Sequence, residues 1–280
     1  MTASAGAGFA ARVLRDFVQV QGPDAATYLQ GQVSQDVAGL TVGDSAWSFV
    51  LQPQGKVDAW FRVTRRAEDT FVLDVDRGWA DAVVQRLERF KLRVKLTISV
   101  LDWQAVAVRG VLPDIETLRA TGAELLVPLD WHDEVGVDLF GAVVALPAGV
   151  AEAEASAYEG WRVAVGLPRM GAELDERTIP AEAGVVDRSV SFTKGCYTGQ
   201  ELVARVDSRG NNTPRKLRSL VLPEGRAIDA GATVVLDGRD IGTVTSAAGS
   251  HALAYVRRDV DAPADALVGD VPVHIEALPA

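Results

Sequence analysis

The residues best suited to chemistry fall in one octapeptide, Lys194-Gly195-Cys196-Tyr197-Thr198-Gly199-Gln200-Glu201, followed by Leu202-Val203-Ala204-Arg205. Cys196 is the only cysteine in 280 residues. A thiol beside a lysine and just ahead of a helical pattern has its thiolate favoured by the ammonium and the positive end of the helix. The flanking glycines let the backbone approach a ligand closely. The same residues also fit an inert, buried cysteine at a tight turn. The spacing alone leaves both readings open.

Other candidates lie nearby in the chain. Between 205 and 218, five basic residues (Arg205, Arg209, Arg215, Lys216 and Arg218) face one acid, Asp207. They suit a cradle for a carboxylate or phosphate, which arginine grips bidentately, or equally a solvated linker. Glu182 follows Pro180, and a carboxylate there can accept paired N–H donors from a heterocycle or simply face solvent. Tyr158 and Trp161 can stack on a ring or fill a core. Asp58, after Gly55-Lys56-Val57, suits acid or base work but has no visible partner.

Composition removes whole classes. One cysteine makes no internal disulfide and cannot hold an iron–sulfur cluster alone. Three scattered histidines (His132, His251, His274) offer no zinc spacing, so no structural metal is expected. There is no glycine-rich dinucleotide loop after a strand, no Walker loop and no nucleophile elbow. A net charge of −10 argues against nucleic acid as the main partner. With 48% hydrophobic residues the chain has ample core material. The opening MTASAGAGFAARVLRDF lacks a basic leader with an apolar core, so no signal peptide is expected. The longest apolar run, from Phe140 to Ala151, falls short of the ~20 residues of a membrane span. A soluble, cytoplasmic protein without membrane contact follows as the expectation.

Elements must hold these side chains in place. Phe17, Val18 and Val20 read as a strand before Asp24, a candidate N-cap for a helix with Ala26, Leu29, Val33 and Val37 on one face. Strands are expected over 47–51, 57–63, 70–75, 98–101, 105–108 and 125–129. Helices are expected over 79–95, 113–120 and 151–165, the last closed by Gly166-Leu167-Pro168. After Pro214 the pattern turns to short β runs at 217–222, 233–236, 241–246, 253–256 and 271–275. Asp237-Gly238 marks a hairpin, and a small antiparallel barrel or sandwich is expected. Length predicts about two domains, or three small ones, of α+β class.

KGCYTGQELVAR at 194–205, with Arg209-Gly210, closely resembles the signature of YgfZ-type folate-binding proteins. These are relatives of the glycine-cleavage T-protein that take part in iron–sulfur cluster assembly or repair. VQVQGPDAATYLQGQVSQDV at 18–37, the turn from Pro53 to Val57, the stretch from Tyr158 to Pro168 and VLDGRDIGTVTS at 235–246 extend the resemblance over nearly the whole chain. It implies a three-lobed α+β architecture around a central channel holding tetrahydrofolate or a one-carbon derivative, with a C-terminal β-barrel. The first domain would be split between 1–52 and 152–208, the second inserted at 53–151, and the barrel at 209–280. Cys196 and Lys194 would be the working residues. Glu182, Tyr158, Arg162, Gln200, Arg205 and Arg209 would meet the folate, with Cys196 lining the rim of the channel. Iron–sulfur enzymes or cluster-assembly proteins would be partners.

One departure separates the relatives. T-proteins carry adjacent acids after the glycine-rich turn, where this chain has Asp58-Ala59, and they lack the cysteine signature. The resemblance therefore implies a folate-binding accessory factor. Two alternatives stand beside it: a folate-dependent one-carbon transferase using Asp58, and a non-catalytic folate-sensing adaptor that docks a partner through 205–218.

Overall fold

The computed structural model describes residues 8–279; residues 1–7, where the expectation of no signal peptide begins, lie outside the described residues. Two five-stranded sheets and a closed six-stranded barrel carry the fold. The first sheet has the order β3-β4-β5-β2-β6, built from β2 (Arg15–Gln21), β3 (Ser45–Leu51), β4 (Val57–Ala67), β5 (Thr70–Asp76) and β6 (Thr97–Leu101). The second has the order β10-β1-β7-β9-β8, from β1 (Phe9–Val13), β7 (Gln104–Arg109), β8 (Leu125–Pro128), β9 (Gly136–Gly141) and β10 (Ala151–Ala153). Each apolar strand face must be covered. Phe17 and Val72 of the first sheet therefore pack on Ala105, Val127 and Phe140 of the second. The other face of the first sheet takes α1 (Ala25–Gln32) and α2 (Ala80–Glu88), which bury Leu29, Val83 and Leu87.

The boundary expected between 52 and 53 falls in the turn joining β3 to β4, inside one antiparallel hairpin. That pairing ties residues on both sides of the expected cut into a single sheet. Two helices are shorter than their periodicity implies. The stripe of Trp79, Val83, Leu87 and Phe90 continues past Glu88, yet α2 stops there and Arg93 takes a left-handed φ of 57°. Pairing of β6 with β2 overrides the helical pattern, because the chain must turn back to lie beside β2. Asp24 occupies the N-cap position of α1 but does not cap it. Its carboxylate accepts the Lys95 backbone N–H at 2.6 Å and so anchors the segment entering β6. After the short α3 (Ile115–Arg119), residues 151–153, expected to open a helix, pair in parallel with β1, and α4 runs only over Ala155–Ala164.

The barrel has the order β11-β14-β13-β12-β15-β16. Its strands are β11 (Arg215–Val221), β12 (Thr233–Leu236), β13 (Arg239–Ala248), β14 (His251–Arg257), β15 (Ala264–Val268) and β16 (Val271–Ala277). The Asp237-Gly238 hairpin is present, with φ of 51° and 75° at the two turn residues, as a primed turn requires. Strands β1, β9 and β15 have no counterpart in the sequence expectation. In β9 the reason is plain: Asp138 interrupts the apolar run, and it is buried in ion pairs. Helix α4 packs on β1, β13 and β14, joining the barrel to the second sheet.

Candidate functional site

The signature loop is built onto the end of β3. Beyond the short α5 (Val186–Ser189), helix α6 (Gln200–Asp207) has as its N-cap Gly199, whose φ is +84°. A Cβ there would lie 2.6 Å from the Gln52 carbonyl, and one on Gly55 would lie 2.5 Å from Leu202 Cβ. Both contacts exclude any larger residue, so these glycines let α6 sit directly on the 52–55 turn. A Cβ on Gly195, by contrast, meets nothing within 4 Å. Close backbone packing therefore explains Gly199 but not Gly195.

Around Cys196 the neighbouring side chains are tied inward while the thiol is exposed. Lys194 Nζ donates to the carbonyls of Val33 (2.6 Å) and Gln35 (3.0 Å) and stands 5.2 Å from the Tyr197 ring centre. Burial lowers the Lys194 pKa to about 8 despite the opposing effect of Asp36. Gln200 Oε1 accepts the Tyr197 backbone N–H at 3.2 Å, which closes the loop on itself. Tyr197 is buried in the main core. The sequence expectation of a cation beside the thiol takes a different form here, because the ammonium is committed to two carbonyls.

The remaining candidates separate into three places. Glu182 is 5% exposed, and its Oε2 accepts from the Ile179 N–H (3.3 Å) and from Arg215 Nε (3.2 Å). Arg215 also lies 4.1 Å over the Tyr255 ring. This cluster ties the chain entering the signature loop to the barrel, and Arg215 is not available as a free partner-binding cation. Arg205 and Arg209 are exposed on and just after α6. Arg162 is 2% exposed, and its N–H donors reach Glu159 (2.9 and 2.6 Å), the Leu167 carbonyl (2.7 Å), Glu173 (3.1 Å) and Ser246 (2.8 Å). Those five bonds use every guanidinium donor. Arg162 is thus a clamp between α4 and the barrel.

Tyr158 lines an interior cavity between the two sheets and a groove beside it. The interior holds only about 20 Å³, whereas the groove holds about 370 Å³. Val13, Arg15, Asp76, Tyr158, Arg162 and Arg169 line both, so the two lie side by side and share a wall. None of residues 194–200 lines either one, and the expected placement of Cys196 on the channel rim is not what the structure gives for this cavity. A hydrogen-bonded route does connect the two regions. Trp60, which lines the cavity, donates from Nε1 to Ser189 Oγ at 2.9 Å. Ser34 Oγ donates to the Ser189 carbonyl at 2.6 Å, and the Lys194 anchors, the carbonyls of Val33 and Gln35, flank Ser34 on either side.

Sequence reasoning missed the charged floor of this cavity. Arg62 reaches Asp74 (3.1 Å) and Asp138 (2.8 Å), while Arg109 reaches Asp138 at 2.7 Å. Burial pushes the Asp138 carboxyl up, but Arg109 and Arg62 outweigh it and hold its pKa at about 2. Arg62 Nη1 and Arg109 Nε are buried without a hydrogen-bond partner. Trp47 stacks on Trp60 at 4.1 Å, and Arg109 lies 4.4 Å over Trp161. The available signal was the charge itself: Arg62, Asp74 and Asp138 break apolar stretches within β4, β5 and β9, and Arg109 ends the apolar run of β7. Asp58 sits apart, 3.5 Å from Arg86, with its pKa raised by burial against the pull of Arg86 and a Gln52 hydrogen bond. No group of three or more His, Cys, Asp or Glu among the described residues is arranged to hold a metal ion. No described helix is long and apolar enough to cross a membrane.

Comparison with known proteins extends these observations. Residues 215–279 match the family description "CAF17, C-terminal beta-barrel domain". The fold matches the crystal structure of the glycine cleavage system aminomethyltransferase T from Bartonella henselae with a TM-score of 0.79. That match covers 98% of this chain and 86% of the other at 21% identity, and it speaks to fold alone. The iron-sulfur cluster assembly factor IBA57 homolog of Pyricularia oryzae is 30% identical over 73% of this chain and 55% of its own length. The tRNA-modifying protein YgfZ of Enterobacter sp. (strain 638) is 31% identical over 253 residues, 81% of this chain and 77% of that protein. Identity at that level, over 81% of this chain and 77% of the relative, places the chain in the YgfZ family.

Proposed function

We propose that this chain binds a reduced folate in the groove beside Tyr158 and supports iron–sulfur enzymes through the exposed thiol of Cys196. The observation that carries the reading is the contrast within the signature loop. Lys194, Tyr197 and Gln200 are all engaged inside the protein, while the lone thiol faces solvent. A loop anchored this firmly presents its cysteine to a partner. The names of the relatives support the same direction, since one is an iron-sulfur cluster assembly factor and the other a tRNA-modifying protein.

The groove fits a folate in chemistry and in room. The Tyr158 ring offers a stacking face. Asp76 and Glu159 line the groove as carboxylates held by Arg15 and Arg162, while Arg169, half-exposed and only 3.4 Å from Glu159, keeps donors for a carboxylate tail. A bound reduced folate would supply a carrier for one-carbon units. Glu182 lines neither the cavity nor the groove, so its role in this reading is to fix the barrel through Arg215.

Calorimetric titration with tetrahydrofolate tests the groove. Tyr158→Ala should weaken binding about tenfold, the scale of one aromatic contact of roughly 1.4 kcal/mol. Cys196→Ala should leave the affinity as it is. Unaltered affinity in Tyr158→Ala would remove the groove from the account.

The transferase reading rests on Asp58, whose pKa is raised and which lies beside Arg86. Its neighbour Ala59 is fully buried and supplies no second acid. Formation of methylenetetrahydrofolate from an aminomethyl donor, lost in Asp58→Asn, would favour that reading.

A further inference from the structure

The stretch Arg86–Leu101 is basic and largely exposed in a chain that is acidic as a whole. Over residues 86–95 it holds Arg86, Arg89, Lys91, Arg93 and Lys95 against one acid, Glu88, in a chain of net charge −10. Glu88 is already paired with Lys91 at 2.9 Å. Arg86 is tied to the Leu51 carbonyl and to Asp58. The side chains of Arg89, Arg93 and Lys95 make no hydrogen bond or ion pair among the described residues, and all three are exposed. Apolar side chains stand among them in solvent: Phe90 is 41% exposed, Leu92 78% and Val100 54%.

The same stretch ends in a free sheet edge. Strand β6 is the last strand of its sheet and pairs only with β2, which leaves one row of its backbone groups without a strand partner. Its residues are largely exposed, so nothing in the described chain covers that edge. Arg93, whose φ of 57° is rare for a residue with a side chain, sits between α2 and β6.

We propose that Arg86–Leu101 is a docking surface for an extended acidic polypeptide segment with alternating apolar side chains, which pairs with β6. Each observation selects that partner chemistry. A free strand edge recognises another backbone through its N–H and C=O groups, which a nucleic acid does not supply. Leu92 and Val100 offer apolar contact that a phosphodiester chain has no use for. The three unpaired cations attract acidic side chains flanking the added strand. A long polyanion would also meet the rest of a chain whose net charge is −10 even with this basic patch included, whereas a short acidic segment meets the patch alone. The proposal is independent of the folate groove.

Fluorescence anisotropy with two labelled decapeptides tests it, one alternating glutamate with valine and the other lysine with valine. The glutamate peptide should bind at least tenfold more tightly, and its binding should weaken as salt is raised from 0.05 to 0.3 M (roughly one Debye-length halving). Arg89→Glu combined with Lys95→Glu should reduce that affinity at least tenfold with the melting temperature unchanged. Amide exchange of 97–101 should slow when the glutamate peptide is added. Equal binding of the two peptides, full binding by the double variant, or no protection of β6 would each overturn the proposal. Bulk tRNA serves as a third probe: binding of tRNA through Arg89 and Lys95 without binding of the glutamate peptide would assign the patch to nucleic acid instead.

Discussion

At the scale of single residues, the chemistry of this protein rests on which side chains are spent and which are left over. Arg162 spends all five donors inside the protein, and Glu182 is held by Arg215. Cys196 is left facing solvent. Lys194 is an intermediate case, with its pKa lowered to about 8 chiefly by burial. A folded-state value below the unfolded ~10.4 means that the unfolded chain binds more protons between those limits. Stability from this group should therefore rise as pH increases from about 8 to about 10.4. Urea midpoints should show that rise in the parent protein and a flatter profile in Lys194→Met. An identical pH profile in the variant would remove the buried ammonium from the account. The octapeptide was fully legible in the sequence, because it combines rare residue types. Its environment was not, since the anchoring carbonyls of Val33 and Gln35 lie about 160 residues earlier in the chain.

At the scale of elements, two glycines decide where the signature helix sits. Gly55 has φ +77° and Gly199 φ +84°, and each touches the other's segment. Gly55→Ala should lose roughly 2–5 kcal/mol, combining a left-handed alanine with overpacking against Leu202. Chemical denaturation should show the lower midpoint, and exchange at α6 amides should quicken. An unchanged midpoint would mean that α6 does not rest on this turn. Strand positions followed closely from alternation and turn residues, as in the β3–β4 hairpin and the Asp237-Gly238 turn. Helix lengths did not, because sheet pairing cut α2 short and converted residues 151–153 into β10. Periodicity reports which face is apolar; it does not report which neighbour claims the segment.

At the scale of the whole molecule, three layers of structure divide the work. The paired sheets enclose a charged cavity with a groove beside it, the barrel locks against α4 through Arg162 and Glu173, and α6 carries the thiol loop. The barrel and the overall architecture were legible because they follow from local β patterns and an extended resemblance. The buried network of Arg15, Arg62, Arg109, Asp74 and Asp138 was not, since single charges show within the strands but their pairing across two sheets leaves no local trace. The thiol and the groove lie in different places, joined through Trp60, Ser189 and Ser34. That separation makes the central claim directly testable. In cells lacking the native protein, Cys196→Ala should fail to restore iron–sulfur enzyme activity while the purified variant binds tetrahydrofolate with parent affinity. Full restoration of enzyme activity by Cys196→Ala would contradict the account.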